Sequence, residues 1–244
     1  MTRIEIQTPD GPAEAYVTGS GPGVLMFMDV HGIRPQIEEM ADRVAGWGYT
    51  VLAPNVFHRD GTVAETSPSP SVDLTEPGEA ASFFAQARPR IDHLTPERAR
   101  RDIPAYLAAL REHADGPEVG TVGYCMGARL AVRAAAVDDD VVAVAGFHGA
   151  ALAVEGDPDS PHLLVAGTHA EYVFGHADGD RSMDEAAVAR LGAALDAAGV
   201  TATNEIYADA SHGYTMRDTP AYQEAGSERS FVELEGLLAR TLRG

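Results

Sequence analysis

Short, uninterrupted apolar runs, each followed by a stretch with helical character, constrain this chain more than any other feature. Val24-Leu25-Met26-Phe27-Met28 carries no charge or hydroxyl and ends at Asp29. Such a run is what a strand buried on both faces needs, and the helix-like segment 36–45 follows it as a crossover. Residues 49–53 form the next apolar run, stopped by Pro54, which cannot donate to a central ladder. The pattern then repeats: strand 119–124, alanine-rich helix 128–136, strand 141–145, strand 170–174, helix 184–198 ended by Gly199, short strand 205–207 and terminal helix 221–240. Residues 3–7 also alternate like a strand. Thr95-Pro96-Glu97 places an N-cap, a first-turn proline and an acid at the start of a helix running to about residue 113. Between them, residues 55–77 are rich in Ser, Pro, Thr, Asp and Gly and read as a long surface loop that shapes a pocket. The alternation predicts an α/β fold with a mostly parallel central sheet and helices on both faces, built as one domain over residues 1–244. Its ligand site belongs at the carboxyl ends of the strands.

Composition removes several chemistries. All 18 basic residues are arginine, so no lysine can form a Schiff base with a carbonyl substrate or with pyridoxal phosphate. Cys125 is the single cysteine, which excludes intramolecular disulfides and thiolate-rich zinc sites. No His-Glu-x-x-His stretch occurs, so His31, His148 and His176 read as pocket or loop residues; neither a metal nor a cofactor is expected. The formal net charge of −19 opposes binding to nucleic acid or anionic membranes, while leaving a small anionic ligand possible in a locally cationic cleft. Residues 1–11 lack the basic end and apolar run of a secretory signal, and Asp29 and His31 interrupt the best candidate for a membrane span. The expectation is a soluble, cytoplasmic protein acting on a small molecule. No feature sets an oligomeric state.

Gly123-Tyr124-Cys125-Met126-Gly127 has the spacing of a nucleophile elbow with cysteine at its centre. Small residues two positions either side let a sharp strand-to-helix turn lift the nucleophile above the sheet. A thiolate there gains from the first turn of the following helix and needs a nearby base. His212, in the small-residue turn Ala210-Ser211-His212-Gly213, falls late in the chain where an imidazole can reach the elbow. The orienting acid is Asp180 or Asp178, which follow the same strand; Asp180 is preferred, with Asp178 bonding the turn. An oxyanion would be met by the amides of Met126 and Val30.

These motifs, at residues 29–33, 123–127, 178–180 and 212, resemble those of the dienelactone hydrolase family over most of the chain. The resemblance implies an α/β-hydrolase fold, a Cys125, Asp180 and His212 triad, and metal-free hydrolysis of cyclic enol-lactones or related esters. It also implies an acid beside the resting thiol that gives way on substrate binding; that position falls on Asp29, one methylene shorter than the family's glutamate. Family members bind a substrate carboxylate through arginines, and Arg217, near His212, is the local candidate. Two rival readings use the same fold: a redox sensor cycling Cys125 through sulfenic acid, which would lack a resolving thiol in the same chain, and a non-catalytic small-molecule-binding protein.

Overall fold

A computed structural model describes residues 2–243. Eight strands form one sheet in the order β1-β2-β4-β3-β5-β6-β7-β8. The central strands are the apolar runs: β3 (Pro22–Phe27), β4 (Thr50–Pro54), β5 (Asp115–Tyr124), β6 (Val141–Phe147) and β7 (Glu171–Ala177). From β4 through β8 (Ala202–Tyr207) every neighbouring pair is parallel. Leu25, Met26 and Phe27 are fully buried, and each contributes roughly 1.5–3 kcal/mol by leaving water. Helices α1 (Pro35–Gly46), α4 (Pro96–Arg111), α5 (Gly127–Val137), α6 (Glu185–Ala198) and α7 (Glu224–Leu242) lie between and beyond the strands. The Thr95 hydroxyl accepts from the Arg98 amide at the start of α4, Asp184 accepts from the Ala187 amide at the start of α6, and Gly199 closes α6 at φ 68°.

Three elements depart from the sequence expectation. The strand-like start is one arm of an antiparallel hairpin, β1 (Thr2–Thr8) with β2 (Gly11–Gly19), and β2 joins the sheet antiparallel to β4. The inward residues of β2 include Ala13 and Ala15, too small to register as an apolar run. The segment 55–77 contains a one-turn helix, α2 (Val63–Thr66), and is followed by a long helix, α3 (Pro77–His93). Only Phe83 and Ala87 of α3 are buried, one turn apart, and Pro89 interrupts its ladder, so its apolar stripe is narrow. Phe83 and Ala87 pack with Val30 and Leu74 in a small cluster separate from the main core. It is therefore α3, more than the loop before it, that roofs the ends of β3 and β5.

Strand order reverses direction between β3, which leads outward to β4, and β5, which leads outward to β6. The crevice beyond the carboxyl ends of such a pair is where open α/β sheets take ligands. Val30 follows β3 and Cys125 follows β5, so the two face this crevice from its opposite sides. Among the described residues, no helix is long and apolar enough to cross a membrane.

Candidate active site

Cys125 sits in the left-handed region at φ 54°, a conformation that costs a non-glycine residue about 1–3 kcal/mol and persists only where surroundings enforce it. Here the Cys125 amide donates to the Phe147 carbonyl, while its own carbonyl accepts from the amides of Ala128 and Ala150. The flanking glycines are needed for clearance. A Cβ on Gly127 would lie 2.5 Å from the Phe27 carbonyl oxygen and 2.6 Å from that of Met28, and one on Gly123 would lie 2.1 Å from the Gly127 oxygen. The elbow is thus wedged against the end of β3.

The structure brings Cys125, His212 and Asp180 into one chain of contacts. Cys125 Sγ is 3.1 Å from His212 Nε2, and His212 Nδ1 is 2.6 Å from Asp180 Oδ2. Asp180 Oδ1 accepts from the Ser182 amide and hydroxyl at 2.8 and 2.7 Å. Burial disfavours the His212 imidazolium, yet the hydrogen bonds to Asp180 and Cys125 outweigh it and push its pKa up to about 10. Burial likewise opposes the Asp180 carboxylate, and the bond from His212 reverses that, holding its pKa below the usual range. Asp178 is turned elsewhere, accepting from the Asp209 amide at 3.1 Å. Val30 and Met126 each line the cleft, and neither amide donates to a backbone acceptor in the turns and loops of the described residues.

Asp29 and Arg217 lie differently from the thiol than their sequence positions suggest. Asp29 is buried at the cleft with both oxygens engaged: Arg34 Nη1 donates to Oδ1 at 2.6 Å and Nη2 to Oδ2 at 3.1 Å, and His31 Nδ1 is 3.0 Å from Oδ2. Burial opposes its charge, but Arg34 and His31 more than compensate and hold the carboxyl well below the usual carboxylate range. Arg34 reaches on to Asp218, Nε to Oδ2 at 2.5 Å, and so clasps the loop after β3 to the loop carrying His212. Arg217 stacks 5.8 Å over the Tyr222 ring in a separate cavity with Gln36 and Arg43. The loop turns between His212 and Arg217, with the Tyr214 and Met216 amides donating back to the Ser211 and Gly213 carbonyls, which sends Arg217 away from the thiol.

His148, which follows β6, is fully buried at φ 38°, and its ring lies 5.3 Å from that of His212, edge to face. Burial, helped by repulsion from His212, pushes its pKa down to about 3, so it stays neutral. Its Nε2 is 2.7 Å from the Thr215 hydroxyl. Its uncharged ring forms one wall against which the His212 ring packs. Phe84 of α3 and Arg129 of α5 also line the cleft. A usable signal for Arg129 exists in the sequence, because it falls in the first turn of the alanine-rich helix that the elbow opens.

Comparison with known proteins now decides the family. The model of the dienelactone hydrolase family matches residues 10–242. The chain belongs to the dienelactone hydrolase family. A Methylorubrum extorquens relative, provisionally named carboxymethylenebutenolidase, is 24% identical over 244 residues, covering 95% of this chain and 78% of its own. A Klebsiella pneumoniae structure provisionally described as a dienelactone hydrolase superposes with a TM-score of 0.81 at 20% identity over 98% of both chains. A dienelactone hydrolase-like promiscuous phosphotriesterase from metagenomic libraries gives 0.72 at 19% identity, again over 98% of each chain. These two likenesses establish the α/β-hydrolase fold, and the family makes this chain a hydrolase of small-molecule lactones or esters.

Proposed function

We propose that the protein cleaves its lactone or ester through a covalent thioester on Cys125, with His212 as acid and base and Asp180 as its orienting partner. The observation that carries this reading is the contact chain from Cys125 Sγ through His212 to Asp180, mounted on a strained turn at the strand ends. An imidazolium beside Sγ, at the start of α5, favours the thiolate. The thiolate adds to the carbonyl carbon, and the resulting oxyanion is met by the amides of Met126 and Val30. Collapse breaks the acyl C–O bond, and the departing alkoxide takes the proton from His212 Nε2. In a lactone this opens the ring and leaves the product tethered as a thioester. Water then attacks that thioester, giving its proton to His212, and the C–S bond breaks to release the acid and regenerate the thiolate.

In this reading Asp29 holds the Val30 loop through Arg34 rather than gating the thiol. The test is hydrolysis of 4-nitrophenyl acetate, simple lactones and dienelactone by wild type, Cys125→Ala and His212→Ala, with mass spectrometry for an acyl adduct on Cys125. Wild-type turnover lost by orders of magnitude in both variants is expected. Activity that survives loss of Cys125 refutes the nucleophile, and a redox or binding role then becomes the better account.

A further inference from the structure

The cleft over Cys125 includes a lobe of about 280 Å³ between α3 and the loop that carries His212, walled mainly by Ala80, Ala81, Met216, Pro220 and Ala221. Such walls take apolar surface, and selectivity then rests on the few polar atoms that reach the ligand. Nearly all the polar side chains of this lobe are already committed. Asp29 takes Arg34 and His31 on its oxygens, His212 is held between Cys125 and Asp180, and the Thr219 hydroxyl donates to the Met216 carbonyl at 3.0 Å. His148 is fully buried. His31 is the exception.

Three contacts fix the His31 residue. Its backbone amide donates to Asp29 Oδ1 at 3.1 Å, its Nδ1 lies 3.0 Å from Asp29 Oδ2, and its ring stacks on Phe83 of α3 with 5.8 Å between ring centres. Arg34 keeps the Asp29 carboxyl ionised, and a carboxylate only accepts, so the proton of the Asp29–His31 bond belongs to Nδ1. In the neutral ring this leaves Nε2 as an acceptor. Among the described residues Nε2 has no hydrogen-bond partner, yet it is not sealed from water, and the side chain is 13% exposed where it lines the lobe.

A histidine free on the surface would turn to suit any neighbour. His31 is instead aimed by a buried carboxylate that Arg34 clamps, as Asp180 aims His212. An aimed acceptor between apolar walls discriminates in two ways: a donor on the ligand pairs with it, while an apolar group placed there strips its water and gives nothing back.

Building on the thioester reading, which puts the substrate in this cleft, we propose that His31 is a specificity-determining residue that selects esters or lactones whose apolar arm carries a hydroxyl, accepted by Nε2. Asp29 then orients His31 as well as holding the Val30 loop.

The experiment measures kcat/KM for two pairs of esters that differ by one hydroxyl, one pair for each side of the scissile bond. These are 4-nitrophenyl 3-(3-hydroxyphenyl)propanoate against 4-nitrophenyl 3-phenylpropanoate, and 3-hydroxybenzyl acetate against benzyl acetate. In the wild type the hydroxylated member of at least one pair is favoured about fivefold or more. His31→Phe, which keeps a ring to stack on Phe83, brings that ratio to within about twofold of unity, and His31→Gln, which keeps an acceptor, retains part of it. The ratio cancels any loss of activity common to both members of a pair. A wild type with no preference in either pair, or a preference that survives in His31→Phe, overturns the proposal.

A second arm separates this idea from the catalytic one. Cys125→Ala is titrated calorimetrically with methyl 3-(3-hydroxyphenyl)propanoate or 3-hydroxybenzyl acetate, whichever side of the bond shows the preference. Binding weakens about fivefold or more when His31→Phe is added; equal binding in the two proteins, or none that saturates, also overturns the subsite. Turnover that persists in Cys125→Ala refutes the thioester reading alone, because the hydroxyl preference is a ratio that can be read whatever nucleophile opens the ester.

Discussion

Replacing Arg34 by methionine tests whether the clasp between the two active-site loops is structural. Arg34 is 4% exposed and makes four hydrogen bonds to carboxylates, two to Asp29 and two to Asp218. Asp218 is partly exposed and can return to water, whereas the Asp29 side chain is only 4% exposed and keeps just His31. Breaking a buried pair from one side leaves an uncompensated charge and costs about 3–5 kcal/mol. For a domain of this size each kcal/mol shifts Tm by about 2–4 °C, so Arg34→Met should melt roughly 6–20 °C below wild type near neutral pH.

The pH dependence has a definite sign. In wild type the folded Asp29 pKa is depressed, so its stabilisation is present above the unfolded value of about 3.9 and is lost as pH falls through the lower folded value. In the variant, burial without Arg34 raises that pKa, so the deficit grows as pH climbs past about 4. Melting curves by circular dichroism at pH 4 and pH 7 read both effects. Adding Asp29→Asn should recover more than half of the loss, because the amide removes the stranded charge. A fall of less than about 3 °C, equal at both pH values, would refute the electrostatic account of the clasp.

Gly127→Ala drives a Cβ into the backbone carbonyls of Phe27 and Met28; it should cost about 2–3 kcal/mol and reduce kcat/KM by roughly a hundredfold through displacement of the elbow, read by urea unfolding and steady-state assay. Asp180→Asn removes the acceptor of His212 Nδ1 and should lower kcat by roughly 10²- to 10⁴-fold while the His212 pKa, followed by NMR, falls toward its ordinary value. An unchanged His212 titration in that variant would contradict the assigned cause of the shift. Because the His212 pKa is raised in the folded protein, its contribution to stability is complete below the unfolded value of about 6.5 and fades as pH rises toward about 10. Stability measured from pH 6 to pH 10 should therefore decline in wild type more than in His212→Ala.

The parts of the fold readable from sequence were those whose burial is written in consecutive large apolar side chains, as at Val24 to Phe27 or Val141 to Val144. β2 hides because its buried positions include the small Ala13 and Ala15, and β8 is legible only over residues 205–207 because half of its six residues are exposed. α3 escapes because it touches the core through two positions only. At the site, the elbow announces itself through the two glycines that its close approach to β3 demands. Asp29 is legible as a strand-end acid with His31 and Arg34 close by in sequence, but the clasp is not, since Asp218 lies 184 residues from Arg34 along the chain. Arg217 drew notice by its nearness to His212 in sequence, whereas a loop can reverse within four residues. Arg129 is easily passed over because, among the alanines of α5, nothing in its own position distinguishes a cleft-lining arginine from a solvated one.

Because His212 follows β8, the outermost strand on its side of the sheet, the reactive centre is divided along the time axis of synthesis. The elbow, its glycines and the Val30 loop all precede residue 150, while His212 and Asp218, the distal partners of Cys125 and of Arg34, follow the last strand. A nascent chain emerged only as far as β7 holds Cys125 without the imidazole that lies 3.1 Å from its sulfur in the folded protein.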